Sequence, residues 1–80
     1  MDINIYLKTI DGETTDIQCN VNDTVSRVIE LYKTKANITD KMQVLLIHKG
    51  KNLKPEKKLS DYEVEDDEVL HVMFRLPGGI

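Results

Sequence analysis

The sequence predicts an α+β fold in which a single β-sheet packs against one α-helix. Three observations predict it. Short apolar runs with strand patterning occupy both ends of the chain and its middle, one segment carries a helical apolar stripe, and 80 residues suffice for one small domain. A composition of 40% hydrophobic and 31% charged residues, with four Gly and two Pro, belongs to a globular domain and not to a disordered segment.

Taken in order, Ile3, Ile5 and Leu7 alternate with Asn4, Tyr6 and Lys8, the period-2 pattern of a half-buried strand. Asp11-Gly12 supplies hairpin chemistry, because Gly accepts a positive φ without steric cost, and a second strand follows with Thr15, Ile17 and Cys19 on one face. Thr24 is placed to cap a helix, Val25, Val28, Ile29, Tyr32 and Ala36 form one stripe along it, and Asn37 suits the left-handed residue that ends it. Leu31 lies off the centre of the stripe and widens it.

The next run, Val44 to Ile47, is apolar at every position, so alternation does not identify its inward face. Lys49-Gly50 marks a turn, Lys51 to Leu53 reads as a short strand, and Pro55 forbids a regular helix or a central strand around it. Leu59 to Tyr62 reads as a single helical turn. Glu68 to Leu76 forms the last strand, with Leu70, Val72 and Phe74 on one face and Val69, His71 and Met73 on the other. One helix covers one face of a sheet, so part of this apolar surface must stay exposed.

Charge and chemistry narrow the function. A net charge of −3 and a pI near 5.2 argue against a general nucleic-acid binder. Lys49, Lys51, Lys54, Lys57 and Lys58 nevertheless crowd one stretch and Glu63, Glu65, Asp66, Asp67 and Glu68 follow it, which reads as two solvated loops or as a polarised surface that orients partners. Cys19 is the single cysteine, which excludes an internal disulfide and fits a reducing compartment. No apolar run approaches the roughly 18 residues that span a bilayer, and the N-terminus lacks signal-peptide character, so a soluble intracellular protein without a membrane partner is expected. The sequence contains no Gly-rich phosphate loop and no metal-ligand spacing, and its two histidines have no nucleophile to activate. Neither an enzyme nor a cofactor is expected. Cys19, at an inward strand position, reads as a small core hydrophobe.

The end of the chain, Arg75-Leu76-Pro77-Gly78-Gly79-Ile80, follows directly from the last strand, and two residues without Cβ can thread a channel too narrow for others. Lys8-Thr9, Gly12, Asp23-Thr24, Gly50-Lys51, Leu59-Ser60-Asp61-Tyr62, Leu70-His71, Arg75-Leu76 and Gly78-Gly79 occur together in one order. From Ile3 to Gly79 the chain resembles ubiquitin, most specifically in the Leu-Ser-Asp-Tyr run and the tail.

The resemblance implies a β-grasp fold for residues 1–76, a mixed sheet with the first and last strands side by side, and a flexible tail at 77–80. It implies recognition through an exposed apolar patch at Ile10, Leu46, His71 and Met73, made more apolar by Val44 where ubiquitin has Arg. It also implies conjugation through Gly79 after a processing protease removes Ile80, with Arg75, Leu76, Pro77 and Gly78 read by the enzymes that handle the tail. The implied partners are activating and conjugating enzymes and patch-binding receptor domains, the implied state is a monomer, and the implied setting is the cytoplasm and nucleus. Lys8, Lys35 and Lys51 match acceptor lysines of ubiquitin, whereas Glu13, Ile29, Leu31 and Asp66 replace four others. Pro77 replaces an Arg and removes an N–H that an enzyme pairing with the tail as a strand would use. A non-conjugated interaction domain of a larger protein is the alternative, and a sulfur carrier using the terminal Gly-Gly is a third reading.

Overall fold

Residues 1–39 and 41–75 are described by a computed structural model. Strand β1 (Asp2–Lys8) and strand β2 (Thr14–Asn20) form an antiparallel hairpin, with Ile3, Ile5, Leu7, Ile17 and Cys19 buried on one side. The alternation of apolar and polar residues has its expected effect: a shift by one residue would turn every one of these side chains to solvent. Helix α1 (Val25–Ala36) starts where the Thr24 hydroxyl accepts from the Arg27 N–H at 3.1 Å, and ends at Asn37 with φ of 57°. The cap satisfies a backbone donor that the first turn cannot use, and Lys33 and Lys35 in the last turn complement the negative end of the helix dipole.

Val25, Val28 and Tyr32 point from α1 into the core, with Ile29, Leu31 and Ala36 half-buried around them. Strand β3 (Gln43–His48) then turns through Lys49-Gly50, both at positive φ, into β4, which is Lys51–Asn52. Leu53, expected in that strand, lies just past it; its N–H still donates to the Leu46 carbonyl at 2.8 Å while its side chain is buried. The loop containing Pro55 packs against the start of α1: Val25 N–H donates to Lys57 O and Ser26 N–H to Pro55 O. A 3₁₀ turn spans Leu59–Tyr62, with Leu59 in the core.

Strand β5 (Val69–Arg75) completes the sheet, whose order is β2-β1-β5-β3-β4. β5 runs parallel to β1 and antiparallel to β3, which makes the sheet mixed. It starts one residue later than the sequence pattern suggests, because Asp67 at φ 66° and the Glu68 N–H to Glu65 O bond close a turn there. Leu76, and with it the expected boundary between domain and tail at 76/77, lies outside the described residues.

Four consecutive apolar residues in β3 acquire an inward face only through pairing. Val44 lies opposite Phe74 and Leu46 opposite Val72 on β5, so Val44, Leu46 and His48 face the helix and are buried. His48 is the one buried polar side chain among the described residues; its Nε2 lies 2.9 Å from Glu68 Oε2. Phe74, at the inward end of β5, keeps 40% of its surface exposed and stacks on Tyr32 with centroids 6.4 Å apart.

Candidate functional site

The side of the sheet away from α1 carries the residues with interaction chemistry. Opposed residues of neighbouring strands point to the same side, so the cross-strand register lays the face out in rows. One row runs Lys8, His71, Ile47 and Asn52; the next pairs Met73 with Leu45; Arg75 lies beside Gln43; and Val69 lies beside Tyr6. Met73 and Val69 are 56% and 48% exposed, His71 is exposed, and Leu45 and Ile47 are half-buried. Side chains of this kind, contiguous and uncovered, are what partner surfaces present.

Of the four residues expected to build the patch, Ile10, His71 and Met73 are at the surface, Ile10 fully so in the turn between β1 and β2. Leu46 is not. Its exposure is 0%, because the register with Val72 turns it into the core, and Val44, expected to enlarge the patch, is buried for the same reason. Ile47 and Leu45 take their places, the former directly beside His71 and the latter beside Met73. One signal was available in the sequence: His71 has the outward parity of β5, but carrying that parity to β3 requires the register between two strands more than twenty residues apart.

The lysines that match acceptors are in three different settings. Lys8 is exposed at the end of β1. The Lys35 ammonium donates to both the carbonyl and the carboxylate of Asp16 at 2.7 Å, which ties it to β2. Lys51 lies on the helix side of the sheet, its Nζ 6.0 Å from the centre of the Tyr62 ring. Arg75 is exposed at the last position of β5. Leu76, Pro77, Gly78, Gly79 and Ile80, which carry the expected processing and conjugation chemistry, lie outside the described residues.

Titratable groups away from this face follow their surroundings. Burial, reinforced by the negative charges of Asp23 and Asp2, pushes the Cys19 thiol up to about 11, which keeps it protonated and unreactive at neutral pH. Burial pulls the Glu68 carboxyl toward the neutral form, but the hydrogen bonds from His48 and from the Glu65 N–H outweigh it and hold the group below its ordinary value. Among the described residues no group of three or more His, Cys, Asp and Glu side chains is arranged to hold a metal ion, and no helix is long and apolar enough to cross a membrane.

Comparison with known proteins shows the family. Residues 3–74 match the family model described as "Ubiquitin-2 like Rad60 SUMO-like". Ubiquitin-like protein 1 of Schizosaccharomyces pombe is 35% identical over 75 residues, covering 94% of this chain and 95% of that protein. Ubiquitin-like protein NEDD8 of Dictyostelium discoideum is 33% identical over 76 residues, covering 95% and 97%. Ubiquitin-like protein 4A of Danio rerio is 36% identical over 75 residues, but there the chain spans 46% of the relative's length. A five-stranded mixed sheet in the order 2-1-5-3-4, grasped around one helix, and a family match covering nearly all of it place the chain in the ubiquitin-like protein family.

Proposed function

We propose that the chain is a ubiquitin-like modifier, joined through Gly79 to lysine amines of target proteins and recognised through the outward face of its sheet. The observation that carries this reading is the position of β5. It is the central strand, its outward residues His71 and Met73 anchor the apolar face, and from Arg75 the sequence continues through Leu76 and Pro77 into Gly78-Gly79. Recognition and attachment thus belong to one strand and its continuation. The two relatives matched over almost their whole length support a protein of this size acting as a unit.

The chemistry is that implied by the likeness to ubiquitin. A protease hydrolyses the bond between Gly79 and Ile80; an activating enzyme uses ATP to adenylate the Gly79 carboxylate, releasing pyrophosphate; an enzyme cysteine displaces AMP to give a thioester. A lysine amine then displaces the thiolate to give the isopeptide bond. Each step is catalysed by the partner, and this chain contributes a reactive terminus and the surface that orients it. Lys8, Lys35 and Lys51 are the candidate acceptor lysines for chains of the modifier, and the Lys35–Asp16 pair is exposed enough to open readily. The cytoplasm and nucleus, where a lone thiol such as Cys19 stays reduced, are the matching compartments.

Incubating the Gly79-ended form with ATP and an extract of its own organism is expected to give adducts that survive boiling in detergent with reductant. They should disappear with Gly79→Ala, and their absence from the wild-type reaction overturns the proposal. General ubiquitin proteases are expected to cleave after Gly79 slowly because Pro77 lacks an N–H, and Pro77→Arg should speed them. Equal rates would show that the N–H is not used. The match to less than half of ubiquitin-like protein 4A favours a second reading, a non-conjugated domain that works through the same face. The intact mass of the protein from its native cell separates the two: a chain ending at Gly79 supports the modifier, and a longer uncleaved chain supports the domain.

A further inference from the structure

Ile10 is the most exposed large apolar residue among those described, at 102%, so no packing holds it in place. Its position is set by the backbone of the turn that joins Lys8 to Thr14, and that backbone is organised around one side chain. The Thr9 hydroxyl accepts from the Glu13 N–H at 3.1 Å and donates its only proton to the Asp11 carboxylate. The Thr9 N–H donates to Glu13 O at 2.9 Å, and the Gly12 N–H donates to Thr9 O at 3.0 Å. Gly12, at φ of 93°, supplies the left-handed step that lets the turn close. Asp11 has its carboxyl held below the ordinary value, first of all by the bond from Thr9.

We infer that Thr9 is a positioning residue for Ile10: its hydroxyl clasps Asp11 and Glu13 and so holds the hairpin tip, with its apolar side chain, in one conformation. The inference rests on the reading of the outward face as a recognition surface. The physical reason lies in entropy. Water can replace both hydroxyl bonds at so exposed a site, so removing them changes global stability little, whereas the number of conformations open to the tip rises. An apolar side chain carried on a backbone already ordered costs less freedom when a partner covers it, which favours affinity without adding a contact. The Gly12 N–H to Thr9 O bond closes the turn around residues 10 and 11, and the hydroxyl adds a tie to the Asp11 side chain, the residue next to Ile10.

Backbone ¹⁵N relaxation and amide exchange on the whole chain, with wild type, Thr9→Val and Thr9→Ser compared, test the clasp directly. Thr9→Val keeps the volume and removes the hydroxyl; Thr9→Ser keeps the hydroxyl. Order parameters at Ile10, Asp11 and Gly12 are expected near 0.85 in wild type and Thr9→Ser, falling below about 0.6 in Thr9→Val. Exchange of the Glu13 amide should rise about ten-fold in Thr9→Val alone, with the shifts of β3 and β5 and the thermal midpoint unchanged. Tip order equal in wild type and Thr9→Val, or lost equally in Thr9→Ser, overturns the inference. The measurement uses neither ATP nor an activating enzyme, so its failure leaves conjugation through Gly79 standing, and a failure of conjugation leaves the clasp standing.

Discussion

The difference between Leu46 and Ile47 is a difference between holding the fold and offering a surface. Leu46→Ala removes a fully buried side chain on the inward face of β3 and is expected to cost about 2–5 kcal/mol, read as a fall in the urea midpoint. Ile47→Ala, one residue on and half-buried, should cost clearly less while weakening any partner that covers His71 and Met73. If the two variants melt alike, the register of β3 against β5 is wrong by one. Local chemistry at this scale was legible in the sequence: Thr24 caps and Asn37 ends the helix because a hydroxyl and a short amide do so wherever they stand. Leu46 was not legible, because Val44 to Ile47 are alike in polarity and only a partner strand tells them apart.

Elements are joined here by two devices, one hidden in the sequence and one visible in it. The first is the bond between His48, inward on β3, and Glu68, just before β5. A histidine at a core position looked like an end of the apolar run, since its partner stands twenty residues away. The folded-state pKa of Glu68 is lowered, so its ionised form contributes stability that is complete above the unfolded carboxyl value of 4.5 and is lost as pH falls through the lower folded value. Wild type should therefore lose stability on acidification over that range more steeply than Glu68→Gln, as followed by urea melts from pH 6 down to about pH 3. The second device is the β3–β4 turn, where Lys49 adopts φ of 52° before Gly50 at 76°. A lysine bears the Cβ clash there that asparagine bears more easily, and Lys49→Asn should stabilise the protein by about 0.5 kcal/mol in the same melts.

For the whole molecule, the order of strand, strand, helix, strand, short strand, strand was readable from period and turn residues, and so was the need for an uncovered apolar face. That the first and last strands lie side by side came only with the resemblance, because nothing in β1 or β5 alone states it, and the full order 2-1-5-3-4 is seen only in the structure. Cys19 offers a probe of the molecule as a unit. With its thiol pushed up to about 11 and 8% exposed, alkylation by iodoacetamide at pH 8 is expected to be slow in buffer. Labelling should rise in step with the unfolded fraction across a urea titration. Fast labelling under native conditions would mean that the β1–β2 end opens by itself.

The parallel pairing of β1 with β5 brings together segments from opposite ends of the described chain: Asn4 N–H bonds to Asp66 at 2.7 Å, and Tyr6 N–H to Glu68 O at 2.9 Å. Contacts of such long sequence separation require closing a loop that spans nearly the whole described chain, which costs chain entropy before the pairing stabilises anything. The row Lys8, His71, Ile47 exists only when β5 is in place, since its members come from three strands that β5 unites. A partner that binds across this row would therefore bind the folded sheet and not the unfolded chain, which has no such row to offer.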